Sequence, residues 1–381
     1  MARPFGVYVH FPWCTHRCPY CDFAVTTGPQ PGERRYARAV LGELALRAEA
    51  FDGLAPASLY LGGGTPSLWD PGDVREVLGA IRERFRLPPG AEVTIEANPD
   101  SCDRERLRAW RAAGVNRVSI GAQSFDRGVL AKLGRRHGPE AAERAIRDAA
   151  EIVGNVSVDL IYGARRSTVE TARADAARAV AAGAVHVSAY ALTLDAEVLA
   201  EEVPLARLRR AGRLPLPSED ETRAQAAAIR SALRRAGLAR YEISNFARPG
   251  RASVHNRLYW DGESYLGLGA GAYGCLRGPE GGASVRYGNL RDAAAYAGAA
   301  LAGRLPTAEE DRIGTAADRN ERLMLALRTR DGAPLSSLSP AQAREAAEAV
   351  RRRLAVRRAG RLVLTSRGMD LHSALAERLF E

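Results

Sequence analysis

The chain has 381 residues, 46% of them apolar, and a net charge of +10. That composition suits one large and one small globular domain and excludes a chain too polar to bury a core. No apolar run approaches the ~18 residues of a membrane-spanning helix; the arginines, with Lys132 the single lysine, lie on helical stretches such as Arg104 to Arg111 and Arg351 to Arg358, which reads as solvated faces and argues against nucleic acid as a partner.

In chain order, short β-branched apolar runs alternate with amphipathic stretches. Strands are expected over 6–10, 58–61, 92–96, 115–120, 156–161 and 185–191. Helices are expected over 33–51, 71–85, 103–113, 139–152, 168–182 and 219–235. Gly114 and Gly183 suit helix stops. Strands that alternate with helices pair in parallel, so the fold class is α/β with six βα units, most of a TIM-like barrel. A further edge strand is expected over 241–244. Residues 250–288, rich in glycine and aromatics, read as loops and short strands of a lid. Beyond Ala308 the pattern becomes helical over 320–327 and 340–354, with a strand over 361–365. The organisation expected is therefore a barrel over 1–245, a lid and connection over 246–307, and a mainly helical domain of winged-helix character over 308–381.

The chemistry-bearing residues fall where such barrels place their sites, at the C-terminal strand ends. Cys14, Cys18 and Cys21 follow the first strand at C-x3-C-x2-C spacing. Three thiolates on one short loop can hold three irons of a [4Fe–4S] cube and leave the fourth open. With His10 or His16 the same thiolates would make a zinc knuckle. Five cysteines, an odd number, and no secretory leader point to a reducing, cytoplasmic setting. Gly62-Gly63-Gly64-Thr65-Pro66 follows the second strand, and glycines let backbone approach a ligand closely. Glu96 ends the third strand, Gln123 the fourth, and Asp159 lies in the fifth. Glu96 and Asp159 can accept bonds from an ammonium or from ribose hydroxyls. Cys102 reads as structural.

The motifs Y-V-H-F-P-W-C, C-P-Y-C-D-F, L-G-G-G-T-P-S, E-A-N-P, G-V-N-R-V-S-I-G-A-Q-S-F and Y-E-I-S-N-F-A-R-P-G resemble the radical S-adenosylmethionine (radical SAM) superfamily, in its coproporphyrinogen oxidase-like branch. The resemblance runs from Tyr8 into the C-terminal domain. It implies a partial (βα)6 barrel, a [4Fe–4S] cluster on Cys14, Cys18 and Cys21, and SAM chelating the open iron. It implies SAM contacts at Tyr8, Tyr20, Gly63, Gly64, Thr65, Glu96, Gln123, Arg135, Asp159 and Ala191. The decarboxylating oxidases of the branch carry a further cysteine two residues after the third, where this chain has Phe23. They also carry a longer N-terminal extension. Both departures favour the heme-chaperone members. His255-Asn256-Arg257-Leu258-Tyr259-Trp260 resembles their H-N-x-x-Y-W motif, which implies heme contacts at His255, Asn256, Tyr259 and Trp260. Tyr273 stands where the branch often has histidine, and a phenolate also ligates heme iron. Cys275 is a further heme-contact candidate. The implied partners are heme and acceptor hemoproteins, respiratory and membrane-associated; homodimerisation stays open. The alternatives are an oxygen-independent coproporphyrinogen III oxidase and an iron–sulfur scaffold or redox sensor.

Overall fold

The computed structural model describes residues 2–28, 34–194, 203–278 and 282–379. Twelve strands form one sheet: β1 Pro4–Phe11, β2 Ala55–Gly63, β3 Glu92–Ala97, β4 Arg117–Gln123, β5 Val156–Tyr162, β6 His186–Ala191, β7 Ala239–Arg240, β8 Asn245–Ala247, β9 Ser264–Leu268, β10 Tyr273–Leu276, β11 Ser284–Asn289 and β12 Thr307–Ile313. Their order is β12-β11-β10-β9-β1-β2-β3-β4-β5-β6-β8-β7. From β9 through β6 every neighbour is parallel; both flanks are antiparallel.

Strand alternation divides the side chains. Val7, Leu59, Leu61, Val93, Ile95, Val118, Ile120, Val156 and Val158 turn outward into one buried apolar core beneath the helices. Tyr60, Glu96, Ser119, Asp159 and Ser188 turn inward, so the barrel interior is polar. The helices are fixed locally. Asp70 caps the Pro71–Phe85 helix by accepting from the Gly72 and Asp73 amides, with proline at the first position. Gly114 and Gly183, the expected helix stops, both have positive φ. The first helix runs Arg35–Arg47 and continues as a 3-10 turn, Ala48–Phe51; Glu33, its expected start, lies outside the described residues.

Two expectations are corrected. The stretch read as a lid supplies β9, a seventh parallel strand beside β1, and then β10 and β11 of the antiparallel flank. Its glycines are packing devices: a Cβ on Gly267 would stand 1.9 Å from the Tyr273 carbonyl oxygen. The strand expected over 241–244 is instead the turn between β7 and β8.

After β12 the chain forms helices Thr315–Leu327, Pro340–Arg351, Ser366–Asp370 and His372–Leu379 with a three-stranded antiparallel sheet, Ala333–Pro334, Arg361–Leu364 and Ala355–Arg358. Leu323, Leu327, Ala346 and Leu362 belong to a second apolar core there. Among the described residues no helix is long and apolar enough to cross a membrane.

Candidate functional site

A cavity of about 390 Å³ opens at the C-terminal ends of β1 to β6. Its size is that of a small-molecule site. Cys14, Cys18 and Cys21 line one wall. Their loop is closed at its base by parallel pairing of Trp13–Cys14 with Thr26–Thr27. It is tied down by His10, whose Nε2 lies 2.8 Å from the Ala24 carbonyl while its Nδ1 lies 3.0 Å from the Tyr8 hydroxyl. Both His10 nitrogens are thus engaged, and burial lowers its pKa to about 4. His16 Nε2 lies 3.1 Å from the Gly134 carbonyl and 3.8 Å from Cys18 Sγ. Among the described residues no three His, Cys, Asp or Glu side chains converge as a metal-binding group.

Burial pushes the Cys21 thiol up to about 11 and raises Cys14 as well. Burial thus favours the protonated form of these two side chains, and a metal must displace their protons. Three soft sulfur donors on one cavity wall fit an iron–sulfur cluster.

Of the ten residues singled out for SAM, all but Tyr8 line this cavity. Tyr8 lies beside it, bonded to His10 and stacked on Tyr60 at 6.1 Å. Glu96 accepts from the Tyr60 hydroxyl at 2.7 Å and from the Gly63 amide at 3.0 Å. Asp159 accepts from the Ser119 hydroxyl at 3.2 Å. Burial raises the pKa of both carboxyls, Glu96 to about 7. Arg135 donates to Asn98 Oδ1 at 2.6 Å and to the Gly121 carbonyl at 3.0 Å. Gln123, which lines the cavity, has φ +65°, a conformation costly outside glycine. The next two residues are anchored to Asp175, which accepts from Ser124 Oγ at 2.6 Å and the Phe125 amide at 2.7 Å.

The glycine run is also required by packing. Gly63 has φ +110°, and its Cβ would stand 2.5 Å from the His10 ring; a Cβ on Gly64 would stand 2.8 Å from Pro12 backbone. Asn98 and Tyr190, at the ends of the third and sixth strands, also line the cavity, as do Arg117, Ser119 and Ser188, which the motifs do not single out. Strand parity with Glu96 and Asp159 was the available signal for Ser119 and Arg117. Arg117 Nε is buried without a hydrogen-bond partner, 3.9 Å from a Glu92 carboxylate oxygen.

The H-N-x-x-Y-W residues are divided. Their helix, Val254–Trp260, packs against β1, β2 and β9, with Glu92 at its N-terminus accepting from Ser253 Oγ, Val254 N and His255 N. Asn256 alone lines the cavity. His255 is buried, with Nδ1 2.8 Å from Ser58 Oγ and Nε2 3.0 Å from the Tyr259 hydroxyl. Burial lowers its pKa to about 3, so the ring is neutral. Trp260 faces a separate cleft toward the C-terminal unit, with the Arg328 guanidinium 4.3 Å from its ring centroid. Cys275 is buried in β10, Cys102 is buried, and Tyr273 is exposed and bonded to Glu309.

Glu96 makes a pH dependence testable. A carboxyl with a raised folded-state pKa holds a proton that the unfolded chain has released, so stability is lost as pH rises from 4.5 to about 7. A shift of this size corresponds to about 3 kcal/mol. Urea unfolding at about pH 5 and about pH 8 is expected to show that loss in the ligand-free protein and less of it in Glu96→Gln. Equal losses would mean that Glu96 is already ionised at the lower pH.

A sequence profile described as the radical SAM superfamily matches residues 8–179. The heme chaperone HemW of Mycobacterium tuberculosis is 40% identical over 99% of this chain and 95% of its own length. HemW of Lactococcus lactis is 31% identical over 99% and 98%. Among solved structures, coproporphyrinogen III oxidase (HemN) from Escherichia coli superposes with a TM-score of 0.80 at 20% identity, covering 100% of this chain and 90% of that one, which speaks for the fold alone.

Proposed function

The chain belongs to the radical SAM superfamily and, within it, to the family of the HemW heme chaperones, and from that premise we propose that it binds heme and a SAM-liganded [4Fe–4S] cluster and passes the heme to acceptor hemoproteins. The observation that carries this reading is that Cys14, Cys18 and Cys21 line one cavity at the strand ends together with Glu96, Asp159 and Arg135. Cys14, Cys18 and Cys21 would hold the cluster. Bound there, it would supply redox-active iron for the chemistry of SAM.

The chain's own part is binding and orientation. Glu96 and Asp159 line the cavity, which supports them as acceptors for the ammonium and ribose hydroxyls of SAM. Arg135 brings a cation to the Cys18 side, and Tyr20 walls the cavity. Phe23, 59% exposed at the cavity edge, stands where the decarboxylating oxidases have a cysteine, which favours the chaperone reading. The acceptors of this reading are respiratory, membrane-associated hemoproteins, and its compartment is the cytoplasm.

Heme titration of the anaerobically reconstituted protein, followed by absorbance, tests the reading. Saturable binding is expected. If His255 ligates iron through Nε2, the Tyr259 bond is exchanged for it, and His255→Ala weakens binding by about tenfold or more, ~1.4 kcal/mol. Unchanged affinity in that variant places the axial ligand elsewhere. No heme binding by the wild type, together with conversion of coproporphyrinogen to protoporphyrinogen, would replace the chaperone by the decarboxylase.

A further inference from the structure

Five side chains around the cysteine loop are joined in one hydrogen-bonded arc. Cys14 Sγ lies 3.2 Å from Thr65 Oγ1, and that oxygen accepts from Asn98 Nδ2 at 3.3 Å. On the other side of the same amide, Asn98 Oδ1 accepts from Arg135 Nη2 at 2.6 Å, and Arg135 Nη1 lies 3.6 Å from Cys18 Sγ. Sulfur's larger radius accounts for the longer last contact.

The arc has a direction. A guanidinium only donates, so the amide must turn its oxygen to Arg135 and its nitrogen to Thr65. Thr65 Oγ1 then accepts from Asn98, and its single proton is free for Cys14. Each of two sulfurs thereby receives one donor from the arc, Cys18 in addition to its contact with His16 Nε2, and the residue that arranges both is bonded to neither. Asn98 is itself held just past the end of β3, where its backbone N–H donates to Ser67 Oγ at 3.1 Å.

We propose that Asn98 is a positioning residue that keeps one hydrogen-bond donor on each of two cluster-binding sulfurs, raising the cluster's reduction potential and slowing its loss of iron. Donors on ligand sulfurs offset the charge gained on reduction, and such outer partners set metal affinity. The inference rests on the reading that Cys14, Cys18 and Cys21 hold the cluster.

The test compares wild type, Asn98→Ala, Thr65→Val and the double variant after anaerobic reconstitution. The readouts are the midpoint potential, by redox titration followed by electron paramagnetic resonance, and the rate of iron loss to a chelator. Asn98→Ala is expected to lower the potential and to speed iron loss about tenfold. Because Asn98 reaches Cys14 only through Thr65, the double variant is expected to shift less than the two single variants summed. Asn98→Ser carries the comparison if Asn98→Ala fails to fold. Variants that match wild type in potential and iron loss overturn the proposal, as do fully additive shifts. A wild type that takes up no iron overturns the cluster reading and the inference with it.

Discussion

Cys18→Ser is expected to eliminate the iron–sulfur cluster from reconstituted protein while the barrel stays folded. A serine hydroxyl resists the deprotonation that a thiol undergoes on metal binding, and with two thiolates left on the loop the cube loses one of its anchored irons. The fold has little at stake there. Cys18 is buried but lies outside the barrel core, whose members are the apolar faces of β1 to β6 and the helices over them. The loop is held independently by His10 to Ala24, by the Thr26 amide to the Pro12 carbonyl at 2.7 Å, and by His16 to Gly134. The expected cost to stability is about 1 kcal/mol or less, that of an ordinary substitution. Iron and sulfide content together with far-UV circular dichroism check both halves. A variant that keeps its full cluster removes Cys18 from the ligand set, and one that loses the whole barrel makes the loop part of the fold.

Gly63→Ala is expected to be the more damaging change to the fold, at about 4 kcal/mol. Two costs coincide. At φ +110° an L side chain is strained, and the new Cβ meets the His10 ring at 2.5 Å. That ring cannot swing aside cheaply, because the Tyr8 hydroxyl and the Ala24 carbonyl hold its two nitrogens. A shift of either partner also disturbs the Gly63 amide that donates to Glu96. Gly79→Ala is the matched control. It lies inside the Pro71–Phe85 helix with open space at its Cβ, and it should gain about 0.5–1 kcal/mol. Denaturant unfolding of the two variants against wild type makes the comparison. Equal stability of Gly63→Ala and wild type would show that β1 and β2 can part at this point without cost.

Much of the scaffold was legible because its signals are local. The 3.6- and 2-residue periods mark helices and strands within a dozen residues, and six of the seven parallel strands carry them. β9 does not. Its five residues, Ser-Tyr-Leu-Gly-Leu, are broken by a glycine, and its partner β1 lies some 260 residues earlier. Only pairing across that distance makes it a strand.

The cluster ligands were the most legible part of the site, since Cys14, Cys18 and Cys21 lie on one loop and spacing alone proposes their chemistry. The H-N-x-x-Y-W motif is equally visible as a string, yet the string says nothing about where its imidazole points. Ser58 and Glu92, 197 and 163 residues away from His255, decide that by bonding its ring and its backbone amide. Asn98 makes the same point. In E-A-N-P it marks only the end of a strand, and it becomes the link between two cysteines only when β2, β3 and the Arg135 turn come together. What the sequence by itself determined is the α/β class, the thiolate loop and the residues offered at each strand end, because propensity, period and spacing act between near neighbours. What only the tertiary structure decided is the seventh strand, the glycine contacts and the pairing of each polar group, because a buried donor or acceptor must find its partner wherever in the chain the fold brings one.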